Sequence, residues 1–320
     1  MKFFATAVLL ALAIPCTGRA GESFTDTAAK MAATGDGFAM QGAAPGWLFL
    51  RDDVAHVAKA DFWKTGPSPA LPIITKFRET LAAAGVTLIL APVPSKAAVY
   101  PDKLVAGAAP DSIVSPTLFL EELITTGATV IDLETLFRKE REKEKVFCAS
   151  DSHWSPFGAV LAAKAIAASP VLAALAKPGA YVTSEGMDLM INGDLAASPG
   201  LEGTPQEELA VIKAGTGTST ATEPVPAANV SPVILLGDSH TMVFTDGTAL
   251  GMHCEGAGLR DHLQAALGFP LVQLSNQNSG GTGARRLLNQ RIQANPAYLK
   301  DVKVIIWVFS IREFTMGKWR

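Results

Sequence analysis

Short apolar runs alternating with helical stretches constrain this chain more than any other feature. Val86 to Ala91, Ala128 to Leu133, Val233 to Leu236, Pro270 to Leu274 and Lys303 to Phe309 are largely apolar on both alternating faces. Strands of that kind are covered on both sides, and strands separated by helices pair in parallel. The expected fold class is therefore α/β, a mostly parallel sheet of about five strands flanked by helices. With 48% hydrophobic and 18% charged residues, the 320-residue chain can build the core such a sheet needs.

The helices come from 3.6-residue spacing. Leu71 to Ala84 puts Ile73, Ile74, Phe77, Leu81 and Ala84 on one side, and Gly85 ends it. Thr117 to Ile124, Leu259 to Leu267 and Arg285 to Gln293 follow the same pattern. Glu134 to Lys145 reads as a solvated charged helix, and Ser155-Pro156 caps an Ala-rich helix running to Ala168. Gly46 to Leu50 is a further apolar strand. Residues 21 to 45 read as a weakly structured lead-in, and residues 178 to 230 as an irregular surface excursion.

Ligands of such sheets sit beyond the carboxyl ends of the strands. One run stops there abruptly at Gly237-Asp238-Ser239, which delivers a serine to the sheet edge. A serine hydroxyl needs an adjacent base, itself held by a third group. Of the five histidines, His240 is next to Ser239, but neighbours at a tight turn point apart. His153 lies in Asp151-Ser152-His153-Trp154-Ser155-Pro156, just before the capped helix. Asp151 and His153, two apart, can face one side of an extended segment, the carboxylate taking the Nδ1 proton and leaving Nε2 for Ser239. A structural pair at a helix cap, or half of a metal site, would use the same residues. No HxH, CxxC or HExxH pattern supplies further ligands, so no metal is expected.

The loop Asn276 to Gly283 precedes a helix, so Gly280 and Gly281 are candidate oxyanion donors, against the plainer reading of a flexible turn. It lacks GxGxxG and the acidic residue that a dinucleotide site requires. Arg312 either supports a carboxylate or oxyanion or pairs with Glu313. The chain calls for no cofactor.

The first 20 residues have the pattern of a cleaved secretory signal: Lys2, an apolar run from Phe3 to Pro15, and small residues to Ala20. The domain then spans residues 21 to 320 and works in the periplasm. The formal charge of −3 becomes more negative once Lys2 and Arg19 are removed, which gives no basic footprint for nucleic acid. Cys148 and Cys254 remain; a disulfide between them and two separate buried thiols are equally compatible.

Together these residues resemble a known family. Gly46-Trp47-Leu48-Phe49-Leu50, Pro92-Val93-Pro94-Ser95-Lys96 with Tyr100-Pro101 and Leu104, Asp151-Ser152-His153-Trp154-Ser155-Pro156-Phe157-Gly158, Gly237-Asp238-Ser239-His240, and Ile306-Trp307 with Arg312 occur in that order. The set is similar to the SGNH hydrolase-like domain of alginate O-acetyltransferases of the AlgX/AlgJ type. Ordinary SGNH esterases carry the serine block first; here, as in that family, the motif order is circularly permuted. The resemblance implies a periplasmic acetyltransferase with Ser239 as nucleophile, His153 as base and Asp151 as its orienting partner. It implies an exopolysaccharide acceptor and a membrane-bound O-acyltransferase that supplies acetyl groups. The sequence ends at Arg320, soon after the last strand, so the carbohydrate-binding module of some relatives is not expected. An acetylesterase with the same triad, and a catalytically silent module binding polysaccharide or an assembly partner, are the alternatives.

Overall fold

The computed structural model describes residues 23–59, 62–64, 68–109, 117–177, 179, 181–277 and 280–319. The expected signal segment, residues 1–20, lies outside them. At the centre is a five-stranded sheet in the order Val272–Ser275, Val233–Gly237, Val304–Ser310, Thr87–Val93, Thr129–Val130. Every neighbouring pair is parallel, as the apolar runs predict.

Strand alternation divides the core into two. Ile89, Ala91, Val233, Leu235, Val304, Ile306 and Val308 point to one face, which meets Phe137, Ala159, Ala162, Ala163, Leu259 and Leu263. Leu88, Leu90, Ile234, Leu236, Ile305, Trp307 and Phe309 point to the other, which meets Ile74, Leu81, Phe119, Leu123, Ala284 and Leu288. Each face is thus closed by helices, and each fully buried aliphatic or aromatic side chain contributes about 1.5–3 kcal/mol of transfer free energy. That burial holds the carboxyl edge still.

Four points go beyond the expectations. Residues 21 to 45 contain a helix, Phe24–Ala33, capped by Ser23, whose hydroxyl accepts from the Asp26 N–H. Its Phe24 and Ala28 pack with Phe49, Val54 and Leu104, which fixes a segment of low apolar content. Leu48–Leu50 stays outside the main sheet and pairs antiparallel with Ala39–Gln41. The charged helix is shorter than its composition predicts, Leu133–Glu140, and beyond it the Val146 N–H is drawn to the Tyr100 hydroxyl at 3.0 Å. Finally, the stretch from 178 to 230 is built rather than irregular. Met187–Ile191 pairs with Glu207–Val211, and Ala214–Thr218 lies between Val182–Thr183 and Ala221–Glu223. A short 3-10 turn, Asp194–Ala197, lies between the first two strands and donates its Asp194 N–H to Asp151 at 2.9 Å. Among the described residues no helix is long and apolar enough to cross a membrane.

Candidate active site

The serine strand ends at Gly237, and Asp238 turns the chain into the 3-10 turn Ser239–Thr241. Asp238 Oδ1 accepts from the His240 N–H at 2.9 Å, and its Oδ2 accepts from the Ser310 N–H at 3.1 Å. The adjacent strand end therefore pins the turn. Thr241 Oγ1 donates to the Asp238 carbonyl at 2.8 Å and lies 2.6 Å from the Ser275 hydroxyl. Gly237 is required by this closeness, because a Cβ there would stand 2.2 Å from Thr241 Cγ2. Ser239 itself is half-buried, and its hydroxyl has no hydrogen-bond partner among the described residues.

Asp151 and His153 sit at the tip of a tight loop rather than on an extended segment. An antiparallel bridge between Phe147 and Trp154 closes it, with Cys148 N–H donating to the His153 carbonyl at 3.2 Å. Asp151 is buried and accepts four hydrogen bonds. Oδ1 takes the His153 N–H at 3.0 Å and His153 Nδ1 at 2.7 Å. Oδ2 takes the Asp194 N–H at 2.9 Å and His253 Nε2 at 2.9 Å. With the carboxylate as acceptor, the neutral ring carries its proton on Nδ1 and leaves the lone pair on Nε2.

The loop is clamped from beneath. Lys96 is buried and spends its three donors on the carbonyls of Leu48, Ala149 and Asp151, at 2.6, 2.8 and 3.0 Å. Burial lowers its pKa to about 8, although Cys148, Glu207, Asp151 and Asp194 pull the other way. Glu207 accepts from the N–H groups of Ala149 and Ser150 at 2.8 and 2.9 Å.

The serine and histidine blocks meet through His240. Its ring lies edge-on to that of His153, with centroids 4.9 Å apart, and packs against Trp154 at 5.3 Å. His240 Nδ1 bonds Asp238 Oδ1 at 3.0 Å, so two Asp-x-His pairs of the same local form stand side by side. Their titrations are pushed apart. Burial opposes charge on His153, but the charge and hydrogen bond of Asp151, backed by Asp194 and Asp238, raise it to about 9. Burial and the neighbouring His153 and Arg312 lower His240, against the pull of Asp238. Asp238 stays well below the usual carboxylate range: burial opposes its charge, but His240 and Arg312 outweigh it.

The comparisons with known proteins decide the family. Residues 40–311 match the family described as SGNH hydrolase-like domain, acetyltransferase AlgX. The chain belongs to this family. Membership places it among the O-acetyltransferases. A probable alginate O-acetylase AlgJ of Pseudomonas putida is 26% identical over 276 residues, 84% of this chain and 69% of that protein. The counterpart in Pseudomonas syringae pv. tomato is 26% identical over 270 residues, 83% of this chain and 66% of its own. The chain thus spans about two thirds of the length of those two relatives. In structure it is similar to the O-acetyltransferase domain of Pseudomonas putida AlgJ, with a TM-score of 0.64 at 22% identity, covering 88% of this chain and 93% of that one. Pseudomonas aeruginosa AlgX follows at 0.60 and 16%, covering 85% and 62%. These two likenesses show the SGNH-like fold.

The remaining readings for this AlgX-family domain are narrowed. Gly281 donates its N–H to the Glu313 carboxylate, and a Cβ on Gly280 would lie 2.0 Å from Glu313 Oε2. The helix N-terminus of Gly280–Ala294 is therefore filled by an internal anion, which explains the glycines without an oxyanion. Asn278 and Ser279 of that loop lie outside the described residues. Arg312 forms no ion pair with Glu313; its Nη1 donates to Ser310 Oγ at 2.9 Å. Cys148 and Cys254 are separate thiols. Burial raises Cys148 well above the ordinary range and Cys254 to about 11, so neither is a ready thiolate.

Asp151, His153 and Asp194 bring potential ligand atoms within 4.8 Å of one another. Each already serves the hydrogen-bond network: Asp194 takes the Ser152 N–H at 2.7 Å and its hydroxyl at 2.5 Å. Asp194, His253, Glu207 and the His240–Asp238 pair escaped the sequence reading. The turn signal Asn192-Gly193 marks Asp194, since a Cβ on Gly193 would stand 2.0 Å from the Ser150 carbonyl oxygen. His253 carries no local signal at all.

Proposed function

We propose that this domain transfers acetyl groups to hydroxyls of an exopolysaccharide, alginate-like in kind, through an acetyl-Ser239 intermediate. The observation that carries the reading is the formed Asp151–His153 pair at 2.7 Å, set against the turn that presents Ser239. Ser239 Oγ attacks the acetyl carbonyl and gives its proton to His153 Nε2. The backbone N–H at Ser239, at the start of the 3-10 turn, stabilises the oxyanion. Collapse expels the donor's oxygen, which takes the proton from His153. A sugar hydroxyl then attacks acetyl-Ser239, His153 accepts its proton, and the proton returns to Ser239 as the acetyl group leaves.

Arg312, beside Ser310 at the same edge, is assigned to a carboxylate of the substrate or to the oxyanion. The donor is a protein-borne or small acetyl ester, delivered by a membrane-bound O-acyltransferase, and residues 1–20 direct export to the periplasm. The domain proper then occupies residues 21–320. The half-exposed position of Ser239 also favours a second reading, acetylesterase activity with water as acceptor.

The test uses an ester donor with and without an acidic oligosaccharide. Transfer requires acetylated oligosaccharide by mass spectrometry; acetate as the sole product in both arms would establish the esterase instead.

The pH dependence follows from His153. Its neutral form is the base, so kcat/KM should rise roughly tenfold per pH unit until the pH approaches about 9. The stability linkage runs the opposite way. A raised histidine pKa contributes stability fully present below the unfolded value of 6.5 and lost as the pH rises through about 9. A kcat/KM profile flat between pH 6 and 9 would count against His153 as base.

A further inference from the structure

We propose that His253 is a positioning residue that shares the Asp151 carboxylate with His153 and limits how much of its charge the base feels. The inference rests on His153 being the base. His253 Nε2 meets Oδ2 at 2.9 Å, while His153 Nδ1 meets the other oxygen at 2.7 Å. The contact joins segments 102 residues apart and is held against a backbone cost. His253 has φ 64° and Phe244 has φ 58°, the two non-glycine residues with positive φ among those described. Such conformations persist where the surroundings over-determine them.

Here Phe244 N–H donates to the Met252 carbonyl at 2.9 Å, Gly247 N–H to the Cys254 carbonyl at 3.2 Å, and Ala257 N–H to the Phe244 carbonyl at 2.8 Å. The Phe244 and His253 rings lie 5.4 Å apart. The hairpin-like loop around 246–255 is thus built to hold one imidazole on Asp151.

A donor on Oδ2 stabilises the carboxylate and draws negative charge from Oδ1. The other charged or titratable groups facing this pair are Asp194, Asp238 and His240 around His153, with Lys96 and Cys148 near Asp151. Four of them, Asp194, Asp238, His240 and Cys148, do not hydrogen-bond Asp151 through their side chains. Lys96 reaches only its backbone carbonyl. His253 is the side chain that competes directly with His153 for the carboxylate.

The test compares His253→Asn with His253→Gln in the full chain. Asparagine tolerates the left-handed backbone but places its amide where Nδ1 stood, short of Asp151; glutamine places its amide where Nε2 stood. The His153 midpoint is read by NMR titration of the imidazole carbons, assigned against His153→Ala, and beside it the pH profile of donor-ester turnover. His253→Asn should move the midpoint upward by roughly half to one pH unit and lower turnover at pH 7 by roughly three- to tenfold. His253→Gln should restore both. An unchanged or lowered midpoint in His253→Asn, or His253→Gln behaving like it, overturns the inference. Full turnover in His153→Ala would instead remove the reading of His153 as base, and the NMR midpoint separates the two failures.

Discussion

A Ser239→Ala variant is expected to lose acetyl transfer by roughly 10³-fold or more while unfolding at the wild-type temperature. The two halves of that result have separate causes. The hydroxyl has no hydrogen-bond partner among the described residues, and the side chain is half-buried, so removing one oxygen costs the fold little. The turn that carries it is held by Asp238, Thr241 and Ser275, all unchanged. Chemistry, by contrast, loses the atom that bonds the acetyl carbon. A serine-reactive sulfonyl reagent followed by intact-mass measurement gives the direct check, with one adduct on wild type and none on the variant. Turnover with the ester donor and the thermal midpoint complete it. An adduct that persists in Ser239→Ala would place the nucleophile elsewhere, and the absence of any adduct on wild type would favour a silent binding module.

What the sequence discloses about this site depends on how local the responsible interaction is. Strands such as Val304–Ser310 declare themselves because both faces are buried, so a nearly unbroken apolar run within the segment itself marks them. Ser239 is legible because Gly237 stops an apolar run, and the Asp151–His153 pair because both members lie on one short loop. The second oxygen of Asp151 is different. Its partners, the Asp194 N–H and His253 Nε2, lie 43 and 102 residues away. No spacing rule connects them.

The same holds for Glu207, whose carboxylate accepts from the N–H groups of Ala149 and Ser150 across a stretch that composition alone marks as loop. The glycines at 280 and 281 show the reverse error. They were legible as a helix N-terminus open to an anion, but the anion is Glu313, brought there by the last strand. The segment itself marks a helix N-terminus suited to an anion, and only the tertiary partner is not legible in it.

Because Asp151 is surrounded in this way, Asp151→Asn should be the most damaging conservative exchange in the site. The carboxylate takes two donors on each oxygen. An amide offers one oxygen and one NH₂, so one of the two pairs must face a donor. If the NH₂ turns towards His153, the ring must carry its proton on Nε2 to accept at Nδ1, which removes the base; in serine triads that tautomer error costs about 10⁴ in rate. The His153 backbone N–H cannot adjust and is left facing the amide hydrogens. If the NH₂ turns the other way, the Asp194 N–H is left in the same position. Either orientation buries an unsatisfied donor, at about 1–3 kcal/mol.

With the NH₂ towards His153, Asp151→Asn should therefore lower kcat/KM by about 10³- to 10⁴-fold, and in either orientation it should lower the thermal midpoint, whereas Ser239→Ala lowers only the rate. Raising the pH cannot restore it, because the proton sits on the wrong nitrogen rather than being held too tightly. Turnover measured to pH 9 beside calorimetry would separate these cases. A variant that recovered wild-type rate at high pH would mean that Asp151 tunes the base without orienting it.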